Sequence, residues 1–121
     1  MTRTESHGSG AQAQRALRYL HEDQLKRPLS QLNTTAMQTL LGAVQRAGSL
    51  EEIEIVLRYQ QARDPRAWPR ELVDPLLKDM KTSAEGHALD RDKVKAAATQ
   101  LALIARVQRV VEDPERRGGG R

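Results

Sequence analysis

Residues 90–111 read DRDKVKAAATQLALIARVQRVV, and their spacing decides the kind of protein this is. Leu101, Ile104, Gln108 and Val111 recur at three- and four-residue steps, so they fall on one side of a helix. Asp90 is a natural cap for that helix. Asp92 is a first-turn acid that complements the helix dipole. The helix, over 91–112, is the longest in the chain, and its broad apolar face predicts a central position. On the other side Lys95, Thr99, Ala102, Arg106 and Arg109 fall within about 80° of one another. Asp92 is spaced to pair with Lys95. No carboxylate lies three or four residues from Arg106, and Arg109 has only Glu112 and Asp113 nearby.

Working back from this helix, the same periodicity appears four more times. PRELVDPLLKDMK starts near Pro69 or again at Asp74-Pro75, where Pro75 kinks or divides it, and buries Leu72, Val73, Leu76, Leu77 and Met80. SLEEIEIVLRYQQARDP opens on a Ser49–Glu52 capping box, carries an Ile53–Val56–Leu57 stripe and ends at Asp64-Pro65. NTTAMQTLLGAVQRAG has Asn33 or Thr34 as cap, Met37, Leu40, Leu41, Val44 and Ala47 as its apolar set, and Gly48 as its stop. The first helix is expected from Ala11 to Lys26, with Ala13, Ala16, Leu17, Leu20 and Gln24 on one face and Pro28 as its terminator.

The expected fold class is therefore all-α, a single compact bundle of about five helices over residues 11–113. Polar, glycine-bearing residues 1–10 and the basic PERRGGGR of 114–121 are expected to be disordered tails. The composition fits one helical core. Of 121 residues 38% are apolar, with no Phe, one Trp and two Tyr, which leaves Leu, Ile, Val, Ala and Met to fill it.

Composition also narrows the chemistry. With no cysteine there are no disulfides, thiolate metal sites or cysteine nucleophiles. No apolar run is long enough to span a membrane, and MTRTESHGSGAQAQ lacks the apolar segment of a secretory signal. A cytoplasmic protein without membrane contact is expected. His7, His21 and His87 lie in separate segments, and none sits at i, i+4 from another histidine or a carboxylate in a zinc-ligand pattern. His21, Glu22 and Asp23 diverge by about 100° each on a helix and do not converge on one atom. There is no glycine-rich phosphate loop and no nucleophile elbow. These features point away from an enzyme and from any cofactor or metal.

Charge carries the functional signal. The net charge of +4 permits an anionic partner. Besides Lys95, Arg106 and Arg109, a first-helix face of Arg15, Arg18 and Lys26 lies beside Tyr19 and is interrupted by Glu22. A third cluster lies in LRYQQARDPRAWPR, where Tyr59 and Arg63 sit side by side at i, i+4, and Arg66 and Arg70 flank Trp68. Trp68 is read as a core anchor, with base stacking as its alternative. Glu54 is placed to neutralise Arg58. A helix-turn-helix over residues 37–60 is disfavoured, because its second helix opens on Glu51, Glu52 and Glu54, where a DNA reader carries cations or amides.

LNTTAMQTLLGAV, IVLRYQQAR and the acid-started DRDKVKAAATQLALIARVQRVV together resemble, over residues 30–112, the small helical subunit of type III-A (Csm-type) CRISPR effector complexes. Gln38 stands where that family tends to carry arginine. The resemblance implies a five-helix, non-catalytic, CRISPR-associated antiviral-defence subunit. Its copies would stack along a ribonucleoprotein filament, beside other subunits, and line the guide–target RNA duplex with positive charge. The expected RNA-backbone contacts are Arg106, Arg109 and Lys95, then Arg63, Arg66 and Arg70, then Arg15 and Arg18. A helical protein–protein adaptor without nucleic-acid binding is the alternative.

Overall fold

The computed structural model describes residues 9–112; residues 1–8 of the tail expected over 1–10, and the tail expected over 114–121, lie outside them. The described chain is all-helical: α1 (Ser9–His21), α2 (Asp23–Gln31), α3 (Thr34–Gln45), α4 (Leu50–Arg63), α5 (Arg70–Ala84) and α6 (Asp90–Val111). Ser9 and Gly10, expected in the tail, belong to the first turn of α1. The central position expected of the last helix is observed, since α6 packs against α1, α3 and α5 and also touches α2 and α4. Leu101, Ile104 and Ala97 on α6 are fully buried, and Ala98 and Ala105 nearly so. Small side chains at 97, 98 and 105 let neighbouring helices approach closely.

The sixth helix is a correction. The chain does not run helically from Ala11 to Lys26 but breaks at Glu22, whose backbone is extended, and restarts at Asp23. The reason lies in helical phase. Tyr19 and Leu25 would stand about 120° apart on one continuous helix, and Ala16 and Leu29 about 140° apart. The break rotates Leu25 and Leu29 into the same core as Ala16 and Tyr19, and all four are buried. The buried face of α1 is correspondingly Gln12, Ala16 and Tyr19, while Leu17, expected inside, is 45% exposed.

Neither internal proline stops its helix. Pro28 lies within α2 and Pro75 within α5. An interior proline costs about 3 kcal/mol. In α5, Leu72 and Val73 before Pro75 and Leu76 and Leu77 after it are all buried. At about 1.5–3 kcal/mol for each such side chain, that burial outweighs the lost backbone bond.

The caps were largely legible. Asn33 accepts from the Thr35 and Ala36 amides at the start of α3. Ser49 accepts from the Glu52 amide at the start of α4, and the Glu52 carboxylate answers by accepting from the Gly48 amide, one residue earlier than a capping box requires. Asp90 is not the cap of α6, however. Leu89 holds the cap position without a side-chain bond, and Asp90 lies in the first turn. Trp68 is 3% exposed and belongs to the core.

Candidate nucleic-acid interface

Along α6 the face turned away from the core forms one wall of a groove of about 480 Å³, closed on the other side by Gln45 and Ala47 at the end of α3. Arg91, Lys95 and Arg106 line it, together with Val94, Ala98, Thr99, Ala102 and Leu103. Arg91 to Arg106 spans fifteen residues of helix, about 22 Å. The groove exists because α6 is amphipathic twice over. Its Leu101–Ile104–Gln108 side is buried, which fixes the opposite side, with its cations, toward solvent.

Among the described residues no carboxylate lines the groove. Among the described residues, Arg91, Lys95 and Arg106 enter no ion pair, so Asp92 does not neutralise Lys95. The Thr99 hydroxyl donates to the Lys95 carbonyl at 2.9 Å, which turns it back onto the helix. Arg109 continues the same face as an exposed residue beyond the groove. Its neighbour in sequence, Glu112, is drawn inward. That carboxylate is 8% exposed and accepts from the Thr34 hydroxyl at 2.8 Å. One turn earlier, the Gln108 amide donates to the Leu32 carbonyl at 2.7 Å. The end of α6 is thereby latched to the α2–α3 junction, and the acid that sequence spacing set beside Arg109 is used there.

The first-helix arginines have a different fate. Arg15 is half-buried. Its Nε donates to Gln100 Oε1 at 3.0 Å and its Nη2 to the Ser83 hydroxyl at 2.9 Å. Ser83 also donates to Gln100 Oε1, and the Gln100 amide donates to the Gln12 carbonyl. The Gln12 amide in turn reaches the Ala96 carbonyl, which closes a polar network between α1, α5 and α6. Arg18 pairs with Glu22 at 3.2 Å and stands 3.8 Å from Asp79. Asp79 is itself buried and accepts from the Tyr19 hydroxyl at 2.9 Å. Burial pushes the Asp79 carboxyl above its ordinary value, against the Tyr19 hydrogen bond and the Arg18 charge, which pull it down. Burial also raises the Tyr19 phenol, with the Asp79 charge adding to it. The shared face once expected of Arg15, Arg18 and Lys26 does not exist, because the break at Glu22 puts Lys26 on another helix.

The third cluster is divided. Tyr59 is 58% exposed, with the Arg63 guanidinium 5.9 Å from its ring centroid. Arg66 and Arg70 are exposed, and Arg66 lines a separate groove with Arg27. Arg58 pairs with Glu54 as expected, at 3.8 Å, and also with Asp74 at 3.0 Å. Lys81 approaches the same Glu54 at 2.8 Å, and its hydrogen bond holds that carboxyl below the usual range.

The structure therefore brings Lys95 and Arg106 together, sets Arg109 beside them, and keeps Arg63, Arg66 and Arg70 elsewhere. Arg91 is the groove residue that sequence reasoning missed. It sits four residues before Lys95 on the same face, a signal masked by Asp90 and Asp92 on either side. His21 and His87 are exposed, and no group of metal-binding side chains occurs among the described residues. No described helix is long and apolar enough to cross a membrane. No protein-family model, curated protein or solved structure matches the chain.

Proposed function

We propose that the protein is a non-catalytic, RNA-binding subunit of a cytoplasmic ribonucleoprotein complex, with the α6 groove as its contact to the RNA backbone. The observation that carries this reading is the set of three cations, Arg91, Lys95 and Arg106, without an ion-pair partner or a lining carboxylate among the described residues. Cations so placed neutralise phosphates and release their counterions, which gives affinity without reading sequence. The small side chains Ala98, Thr99 and Ala102 among the lining residues leave room for riboses to come close, as recognition across the shallow minor groove of an RNA duplex requires. The resemblance to the type III-A CRISPR small subunit supports a guide–target duplex as that RNA. Other subunits, and further copies along a filament, would supply the remaining affinity by multivalency.

Fluorescence anisotropy tests the reading with labelled RNA duplex, single-stranded RNA and DNA duplex across a salt series. The expected result is RNA binding that weakens with salt and is lost in Lys95→Glu/Arg106→Glu, with an unchanged melting curve. A folded variant that binds RNA as well as the wild type overturns the reading. Absence of binding to any nucleic acid would favour the adaptor, whose candidate surface is the exposed α4 face of Ile55, 67% exposed, and Tyr59.

A further inference from the structure

A second concave site lies between α2 and the start of α5, with a volume of about 430 Å³. Arg27, Gln24 and Gln31 line it from α2, and Arg66 and Glu71 from the other side. None of these five side chains makes a hydrogen bond or ion pair within the described protein. Their donors and acceptors are available to a ligand. Pro28 and Pro69 complete the walls with rigid, partly exposed apolar faces.

The site is also preorganised. Leu25 and Leu29, on either side of Pro28, are buried and anchor α2 against α5. On the facing side, the Trp68 amide donates to the Asp64 carbonyl at 3.0 Å, and Asp64 Oδ1 accepts from the Ala67 amide. Trp68 is sunk in the core between Arg66 and Pro69. Its place among arginines is thus explained without base stacking: it fixes the short segment that presents Arg66 and Pro69. The backbone on both sides is thereby held, and the ordering cost left to binding is that of the exposed side chains.

We infer that this pocket binds a nucleoside 5′-monophosphate, free or as one unpaired nucleotide of a strand. Two arginines match a phosphate in charge and donor geometry. A base is flat and apolar on its faces, which suits the proline walls. The Gln24 and Gln31 amides offer both donors and acceptors to its edge. Glu71 accepts from a ribose hydroxyl or an exocyclic amine, a feature that a bare-anion site does not need. The inference does not rest on the α6 groove and stands or falls separately from it.

Titration of the full chain with AMP, GMP, CMP and UMP, followed by amide chemical shifts at low salt, tests it. Inorganic phosphate and the free nucleosides serve as comparison probes. The expected result is saturable shifts confined to residues 24–31 and 64–71, with phosphate and nucleoside each binding at least about tenfold more weakly. Arg27→Ala/Arg66→Ala, both exposed positions, should weaken the mononucleotide by about tenfold or more with an otherwise unchanged spectrum. The inference is overturned if no mononucleotide binds, if the shifts fall elsewhere, if phosphate binds equally well, or if the folded variant binds as the wild type does. RNA binding in the α6 groove variant, read in the same preparations, keeps the two sites distinct.

Discussion

Arg15 and Arg106 look alike as letters on basic helix faces, yet the fold puts them to opposite uses. Arg15 bonds Gln100 and Ser83 in a network that ties α1 to α5 and α6. Arg106 lines an open groove with Arg91 and Lys95 and has no acidic partner among the described residues. A positive stripe becomes a candidate binding surface only when the fold leaves its charges unanswered. For Arg15 the answering groups come from α5 and α6. For Arg106 and Arg109 the nearest described acid in sequence, Glu112, is occupied at Thr34.

The comparison is broken most sharply by substitution on the α6 side. Arg91→Glu/Lys95→Glu/Arg106→Glu should lower RNA affinity by about two orders of magnitude at low salt, read by anisotropy, while Tm stays close to wild type. The α1 side should behave in the reverse way. Arg15→Ala removes charged donors from Gln100 and Ser83 and should cost about 1–2 kcal/mol, or roughly 5–10 °C in Tm by calorimetry, without changing RNA affinity per folded molecule.

Asp79 sharpens the picture of α1 as a structural region. Its folded pKa is raised, so between the ordinary carboxylate value and the raised one the native state binds more protons than the unfolded chain. Its contribution is fully favourable below the ordinary carboxylate value and is lost as pH rises through the raised one. Asp79→Asn keeps an acceptor for Tyr19 and cannot titrate. Denaturation across pH 3–7 should therefore show the wild type losing stability relative to this variant as pH rises, and a constant difference would contradict the assignment. The smallest effect is expected at Arg109, exposed beyond the groove. Arg109→Ala should weaken RNA binding by about 0.5–1 kcal/mol and lower the salt-dependence slope by about one phosphate contact.

Much of this was legible from local sequence. Asn33 and Ser49 marked helix starts, and the periodic sets of α3 to α6 marked their buried sides, because caps and periodicity are local properties. Lys95 and Arg106 were legible as sharing one helix face because eleven residues return a helix nearly to the same phase. The break at Glu22 was not legible, since it is enforced by where Leu25 and Leu29 must go and not by any breaker residue. Nor was the use made of Arg15, or the approach of Arg18 to Asp79, whereas the Arg18–Glu22 pair is local at i, i+4. Gln100 and Ser83 lie 85 and 68 residues from Arg15, and Asp79 lies 60 from its partner Tyr19. A one-dimensional search for carboxylates three or four residues away cannot find them, and it cannot anticipate that an uncharged glutamine and serine would hold Arg15.

The most direct test of the α6 account is to map where RNA touches the protein. Amide and side-chain chemical shifts of the full chain should be followed during titration with a short RNA duplex. The account predicts perturbations concentrated on Gln45, Ala47 and the 91–109 face of α6, with the Arg15 guanidinium unmoved. Perturbations centred on α1, or spread evenly over all the exposed cations, would contradict it.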